Sequence, residues 1–76
     1  MRLNYEELSR NWSIMHDEHA LLKNRTPQNR LGVAVFLKYY QNTGRFPSSK
    51  QEVDEEVVAF ISGQLRLYAN EWNKFA

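Results

Sequence analysis

The sequence predicts an all-α fold, a compact bundle of four to five short helices around a central apolar helix. Apolar residues recur at helical spacing in several segments, and signals that typically begin helices precede those segments. The stretch 31–40 is apolar or aromatic at every position except Gly32 and Lys38, which indicates a helix surrounded by the others. At 76 residues and 42% hydrophobic composition, the chain 1–76 is expected to form a single domain with a small core.

The first helix is predicted to begin after Asn4, which can cap it together with Glu7 at the capping-box position. Its expected core stripe consists of the residues spaced i, i+3 and i+7, namely Tyr5, Leu8 and Trp12. A second short helix is predicted to begin at Asp17 and Glu18. It is expected to attach to the core through three apolar residues, Ala20, Leu21 and Leu22.

The third helix is predicted over 27–42. Thr26 supplies a side-chain acceptor for free backbone N–H groups, and Pro27 suits the first helical position. Gly44 offers the left-handed conformation at which helices commonly end. This is the predicted central helix, and we expect Lys38 to reach from it to an edge of the bundle.

After a loop or single turn at 48–52, a fourth helix is predicted near Asp54, where acidic residues suit the positive end of the helix dipole. Its expected buried stripe is Val57, Val58, Ile61 and Leu65. Gly63 inside it suggests a close helix crossing or a bend. A last short helix is predicted to present three aromatic residues, Tyr68, Trp72 and Phe75.

The net charge of +1 conceals a strong segregation of charge along the chain: residues 1–20 carry −2, residues 21–50 carry +6 and residues 51–76 carry −3. The middle segment contains no acid, and its cations are Lys23, Arg25, Arg30, Lys38, Arg45 and Lys50. These cations either pair with acids of the flanking helices or act together on a polyanion such as DNA, where each phosphate contact releases counterions.

The first turn of the third helix is the predicted DNA contact, because it alone shows polar residues before the apolar run. Arg30 can read guanine, and Gln28 and Asn29 can read adenine, through paired hydrogen bonds in the major groove. Helix two, the short connection and helix three together make the fold helix-turn-helix-like, with Lys23 and Arg25 flanking the contact turn. Ordinary solvated polarity is the alternative interpretation of Gln28 and Asn29.

A second basic cluster, Arg45 and Lys50, follows about 21 Å farther along the third helix. We predict DNA contacts for both, although the distance exceeds the major-groove width of about 12 Å. A structural role for Arg45, in which it pairs with Glu52 or Asp54, is left open. Phe46 is expected to anchor the core, and Arg66 is too isolated in the sequence to assign.

No catalytic site, metal site or cofactor is predicted. His16 and His19 share a helical face, but a zinc site needs three or four convergent ligands and the chain has no cysteine and no third histidine. The paired acids lie in first helical turns, where the helix dipole explains them. No apolar run approaches the roughly 20 residues that span a bilayer, so we expect no membrane association and a cytoplasmic location.

Two motifs, Asn29-Arg30-Leu31-Gly32 and Gly44-Arg45-Phe46, lie inside a stretch, 25–47, that holds four cationic residues and no carboxylate. This pattern resembles the N-terminal DNA-binding region of the Tn-three family of replicative DNA transposases. The resemblance extends through Glu6-Glu7-Leu8 before it and Gln64-Leu65 after it.

The resemblance implies an excised N-terminal domain of a larger bacterial transposase that recognises the terminal inverted repeats of the transposon. Its partners would be double-stranded DNA and the remaining domains of the parent transposase, which carry the chemistry. The alternative is a protein-interaction or dimerisation module within the same transposase. That module would use exposed aromatic residues such as Tyr39, Trp72 or Phe75.

Overall fold

The computed structural model describes residues 4–75 as five α-helices and one 3-10 turn. Their bounds are α1 Tyr5–Asn11, α2 His16–Leu22, α3 Pro27–Thr43, the 3-10 turn Lys50–Glu52, α4 Glu55–Leu65 and α5 Glu71–Lys74. These described residues contain no strand, and the predicted all-α class is confirmed. No helix among them combines the length and apolar character needed to cross a membrane.

The helix ends follow the capping residues of the sequence. Asn4 Oδ1 accepts the backbone N–H of Glu7 at 2.8 Å and begins α1. Thr26 Oγ1 likewise accepts an N–H from the first turn of α3, at 3.4 Å. Gly44 ends that helix in the left-handed conformation, with φ of 82°. These three local signals explain why the bounds of α3 and the start of α1 were predictable.

Helix α3 occupies the centre of the bundle, as predicted, and packs against α2, α4 and α5. Leu31 and Val35 on this helix are fully buried. The other helices and loops cover them with a cluster that includes Leu8, Trp12, Ile14, Leu22, Val53, Val57, Val58, Ile61 and Trp72. The 17 residues of α3 therefore provide the frame on which the shorter helices are placed.

The packing of α5 on α3 depends on a glycine. Gly32 is buried, and a Cβ at this position would collide with the ring of Phe75. That ring meets Phe36 edge-on at 5.4 Å and stacks on Trp72 at 5.9 Å between centroids. Lys50 closes the cluster, because its Nζ donates to the Trp72 carbonyl at 2.8 Å and lies over both C-terminal rings.

A buried ion pair joins α2 to α3. Lys38 Nζ lies 2.7 Å from Glu18 Oε1, and the two side chains are only 5% and 14% exposed. Gln41 completes the network, since it accepts from Lys38 Nζ at 2.9 Å and donates to Glu18 Oε2 at 2.7 Å. The expectation that Lys38 reaches an edge of the bundle is wrong, because an acid of α2 meets its ammonium group inside.

Glu18 stays ionised in this setting. Burial raises the pKa of its carboxyl group, but the hydrogen bonds from Lys38, Gln41 and the Met15 backbone N–H together outweigh burial. The net result is a pKa lowered from 4.5 to about 2. The pair therefore exists as two charges at neutral pH, each with hydrogen-bond partners that compensate for lost hydration.

Several burial predictions are wrong. Tyr5 is 76% and Leu21 69% exposed, and Phe46, expected to anchor the core, is exposed as well. Tyr68, expected on the last helix, precedes α5 and is 81% exposed. Helices of four to seven residues are too short to bury a full apolar stripe against α3. Each of the three short helices therefore buries a single side chain, Leu8 in α1, Leu22 in α2 and Trp72 in α5. The close crossing expected at Gly63 is also wrong, because no atom lies within 4 Å of a Cβ added there.

The two helical glycines give opposite expectations for the same substitution. Gly32→Ala should lower the free energy of unfolding by about 1–2 kcal/mol, since overpacking costs about 1–3 kcal/mol and exceeds the gain of alanine over glycine in a helix. Gly63→Ala should raise it by about 0.5–1 kcal/mol, because that site is open. Urea unfolding followed by tryptophan fluorescence measures both. Equal effects of one sign would contradict the packing of α5.

The buried ion pair predicts a pH-dependent stability. Because the folded pKa of Glu18 lies near 2, below its ordinary 4.5, its contribution is present above about pH 4.5 and lost as the pH falls toward 2. Glu18→Gln should therefore lower the free energy of unfolding by about 3 kcal/mol at pH 7. The difference from the natural chain should vanish near pH 2.

The matched control is Glu6→Gln, since Glu6 pairs with Arg10 in solvent and such pairs contribute about 0–1 kcal/mol. Urea titrations of the natural chain and both variants between pH 2 and pH 7 supply the comparison. A Glu18→Gln deficit that stayed constant over this range, or that equalled the Glu6→Gln deficit, would rule out the proposed electrostatic link between α2 and α3.

Candidate nucleic-acid interface

The connection 23–26 forms a tight corner between α2 and α3. Leu22, almost fully buried, fixes the end of α2, and the backbone N–H of Arg25 donates to its carbonyl at 3.1 Å. The side chains of Lys23 and Arg25 are exposed on the outside of this corner. Neither of them forms a hydrogen bond or ion pair with any residue in the range 4–75. Both charges therefore face solvent.

Arg30, in the first turn of α3, binds the backbone of the connection between α2 and α3. Its Nε donates to the carbonyl of Leu22 at 3.4 Å, and its Nη2 donates to the carbonyl of Arg25 at 3.0 Å. These carbonyls belong to the end of α2 and the turn after it, where a cation is favoured by the helix dipole. Carbonyl oxygens orient the guanidinium but do not cancel its charge, so Arg30 adds a third cation to the corner.

The polar side chains of the first turn of α3 are not engaged in the fold. Asn29 is exposed and Gln28 half-buried, and neither side-chain amide bonds to another described residue. The five residues predicted for the first contact surface thus lie on the connection between α2 and α3 and on the first turn of α3. We call them the corner: Lys23, Arg25, Gln28, Asn29 and Arg30.

The second predicted cluster, Arg45 and Lys50, is engaged within the fold. Arg45 binds Glu52 with both guanidinium nitrogens, at 3.0 and 2.8 Å, which is the structural role that the sequence left open. Lys50 binds the carbonyl of Trp72. DNA contacts of Arg45 and Lys50 stay a prediction, but the contacts observed explain both residues without DNA.

The electrostatics of the Arg45–Glu52 pair follow from its geometry. Hydrogen bonds from Arg45, then one from the Ser48 backbone N–H, lower the pKa of Glu52 from 4.5 to about 2. Hydrogen bonding to the same carboxylate raises the pKa of Arg45 above its ordinary value. The pair is therefore fully ionised over the physiological range, and the charge of Arg45 is balanced where it lies.

The cations of the described residues fall into two groups. Those that pair with a carboxylate are Arg10, Lys38, Arg45 and Lys74. Those that form no ion pair with another residue of the range 4–75 are Lys23, Arg25, Arg30, Lys50 and Arg66. Every member of the second group except Lys50 lies at the corner or on the groove beside it.

Arg66 is the residue that sequence reasoning missed. It ends α4 in the left-handed conformation, with φ of 58° and ψ of 42°, and its side chain is exposed. Together with Lys23 and Arg30 it lines a groove of about 550 Å³ between α2, the start of α3 and the end of α4. No local signal in the sequence connects Arg66 to residues so far away along the chain, because only the packing of α4 brings them together.

Comparison with known proteins identifies the family. The model of a family described as a domain of unknown function, DUF4158, matches residues 1–76. The chain belongs to this family. Over 54 residues, 71% of the chain, it is also 35% identical to the transposase for transposon Tn2501 of Escherichia coli. These findings confirm the predicted resemblance to a transposase region.

This DUF4158 chain corresponds to a small part of its relative, since the matched region covers 5% of the Tn2501 transposase. No solved structure matches the chain. The relative identifies a transposase context for the domain.

Proposed function

We propose that this chain is a DNA-binding domain of a transposase and that it recognises the terminal inverted repeats of the transposon. The observation that carries the proposal is the set of cations without carboxylate partners at the corner. Elsewhere in the described residues, acids neutralise the cations of α1, of α5 and of both the middle and the end of α3. A surface patch that keeps its charge unbalanced is suited to a polyanion.

The energetics of DNA binding fit such a patch. Each cation that contacts a backbone phosphate releases counterions, so several exposed cations on one surface act together even when the net charge is only +1. Arg30 is held rigidly by two carbonyl groups, which reduces the side-chain entropy lost on binding. Lys23 and Arg25 flank it and can follow the phosphates on either side.

Sequence recognition is assigned to the first turn of α3. Gln28 and Asn29 have unoccupied side-chain amides, which can form paired hydrogen bonds with adenine in the major groove. The rest of α3 cannot enter a groove, because Leu31, Val35 and Lys38 are buried. We therefore propose a helix-turn-helix-like arrangement that reads bases with the beginning of α3 only, while phosphate contacts set its position.

In the parent protein, the proposed role is docking rather than chemistry. The chain would be one N-terminal domain of a larger bacterial transposase, acting in the cytoplasm where the DNA lies. It would hold the enzyme on the transposon ends while other domains cut and join strands. Neither a cofactor nor a metal is required for this role.

A second function, protein interaction within the transposase, is favoured by a different surface. Phe46 is 56% exposed, and its ring lies tilted against the rings of Tyr40 and Phe36, at 5.0 and 6.0 Å between centroids. Tyr40 and Phe46 form an exposed aromatic surface at the end of α3, which we call the ledge. The residues first expected to serve this function are less suitable. Trp72 is buried, Phe75 packs against Gly32, and Tyr39 is half-buried with Arg45 over its ring.

The proposal predicts that charge reversal at the corner weakens DNA binding. We expect Arg25→Glu to lower the affinity for an inverted-repeat duplex about tenfold or more near 0.1 M salt and to reduce the salt slope by about one. The matched control is Lys74→Glu, which makes the same charge change at a lysine paired with Glu71 on α5. Fluorescence anisotropy titrations at two salt concentrations measure both variants.

Three outcomes would contradict the proposal. Equal losses in Arg25→Glu and Lys74→Glu would indicate a net-charge effect rather than a surface at the corner. Equal affinity of the natural chain for repeat and scrambled duplexes of the same length would show that the domain does not recognise the repeat sequence. Self-association by sedimentation, without DNA affinity, would favour the protein-interaction function instead.

A further inference from the structure

The groove beside the corner has a one-sided charge. Its polar lining consists of His16, His19, Lys23, Arg30, Gln64 and Arg66, and no carboxylate lines it. Three of these residues are permanent cations around a space of about 550 Å³. Like charges around one groove repel each other, and an anion bound between them would attract all three and offset that repulsion.

The wall formed by α4 is fixed in place. Gln64 Oε1 accepts the backbone N–H of Ile14 at 2.8 Å, and its Nε2 donates to the carbonyl of Trp12 at 3.0 Å. These bonds tie the last turn of α4 to the segment that leads into α2. Arg66, two residues farther on, is therefore held opposite α2.

The left-handed backbone of Arg66 indicates that stability alone does not explain an arginine at this position. It is the one residue other than glycine with positive φ among the described residues. Glycine is the usual residue at such a helix end, because a side chain in this conformation is disfavoured by its Cβ. Strained residues of this kind cluster at binding sites, where the side chain contributes something that glycine cannot. At Arg66 that contribution is an exposed cation without a partner among residues 4–75.

We propose that the groove seats one phosphate of the DNA backbone and that Arg66 is a DNA-binding residue. The phosphate is held between Arg66 on one side and Lys23 and Arg30 on the other, with imidazole N–H groups of His16 and His19 at the rim. This inference rests on the proposed function and extends the contact surface from the corner to the end of α4. The contact is to the backbone, so it strengthens binding to any duplex and specifies no base.

Arg66→Gly separates binding from folding. Glycine removes the charge and relieves the backbone conformation, so the variant should show a higher midpoint of thermal unfolding than the natural chain. Its affinity for repeat and scrambled duplexes should fall by the same factor, about tenfold near 0.1 M salt, and its salt slope should fall by about one. Lys74→Gln, which removes one exposed cation of α5 that does not line the groove, should leave both the affinity and the slope close to those of the natural chain.

The outcomes distinguish this inference from the function on which it rests. If Arg25→Glu loses affinity while Arg66→Gly keeps the full salt slope, the groove holds no phosphate and the DNA-binding function stands. A selective loss for the repeat in Arg66→Gly would also overturn a backbone contact. If the natural chain binds neither duplex, the proposed function fails and the phosphate site fails with it.

Discussion

The buried contact between Lys38 and Glu18 is the interaction on which the arrangement of the corner depends. Helix α2 has seven residues, and Leu22 is its one buried apolar side chain. A single leucine cannot fix the orientation of a helix, so the ion pair and its bonds to Gln41 provide the second point of attachment. With both ends of α2 held against α3, the connection between them is forced into a tight corner.

The same contact helps to explain where charge remains unbalanced. Glu18 is the acid of α2 that faces α3, and it forms its ion pair with Lys38. Arg30, near the start of the same helix, binds carbonyl oxygens and forms no ion pair with another described residue. At the other end of α3, Arg45 finds Glu52 and is neutralised. The electrostatic asymmetry of the bundle thus follows from which cations the packing brings within reach of an acid.

Capping chemistry and apolar content made much of the fold predictable. Asn4, Thr26 and Gly44 act locally, so their effects can be read without knowing the tertiary structure. Burial in the short helices could not be inferred in this way. Tyr5 has the right spacing for a core stripe, but α1 has only seven residues and buries Leu8 alone, so Tyr5 stays exposed.

The candidate site was predictable only where its residues are neighbours in sequence. The corner lies within a single stretch of the chain, and its cations stand out because no acid interrupts them. The pairing of Lys38 with Glu18 and the approach of Arg66 to Lys23 depend on how separate helices pack. Helical spacing contains no information on such contacts. For this reason the sequence gives no assignment for Arg66 and wrongly predicts Lys38 at an edge of the bundle.

Backbone amide chemical shifts, followed by NMR while an inverted-repeat duplex is added, test the central claim most directly. The account predicts the largest changes over residues 23–30 and at Gln64 and Arg66, with little change around the Arg45–Glu52 pair. Changes concentrated at the Tyr40–Phe46 ledge, with the corner unaffected, would contradict it.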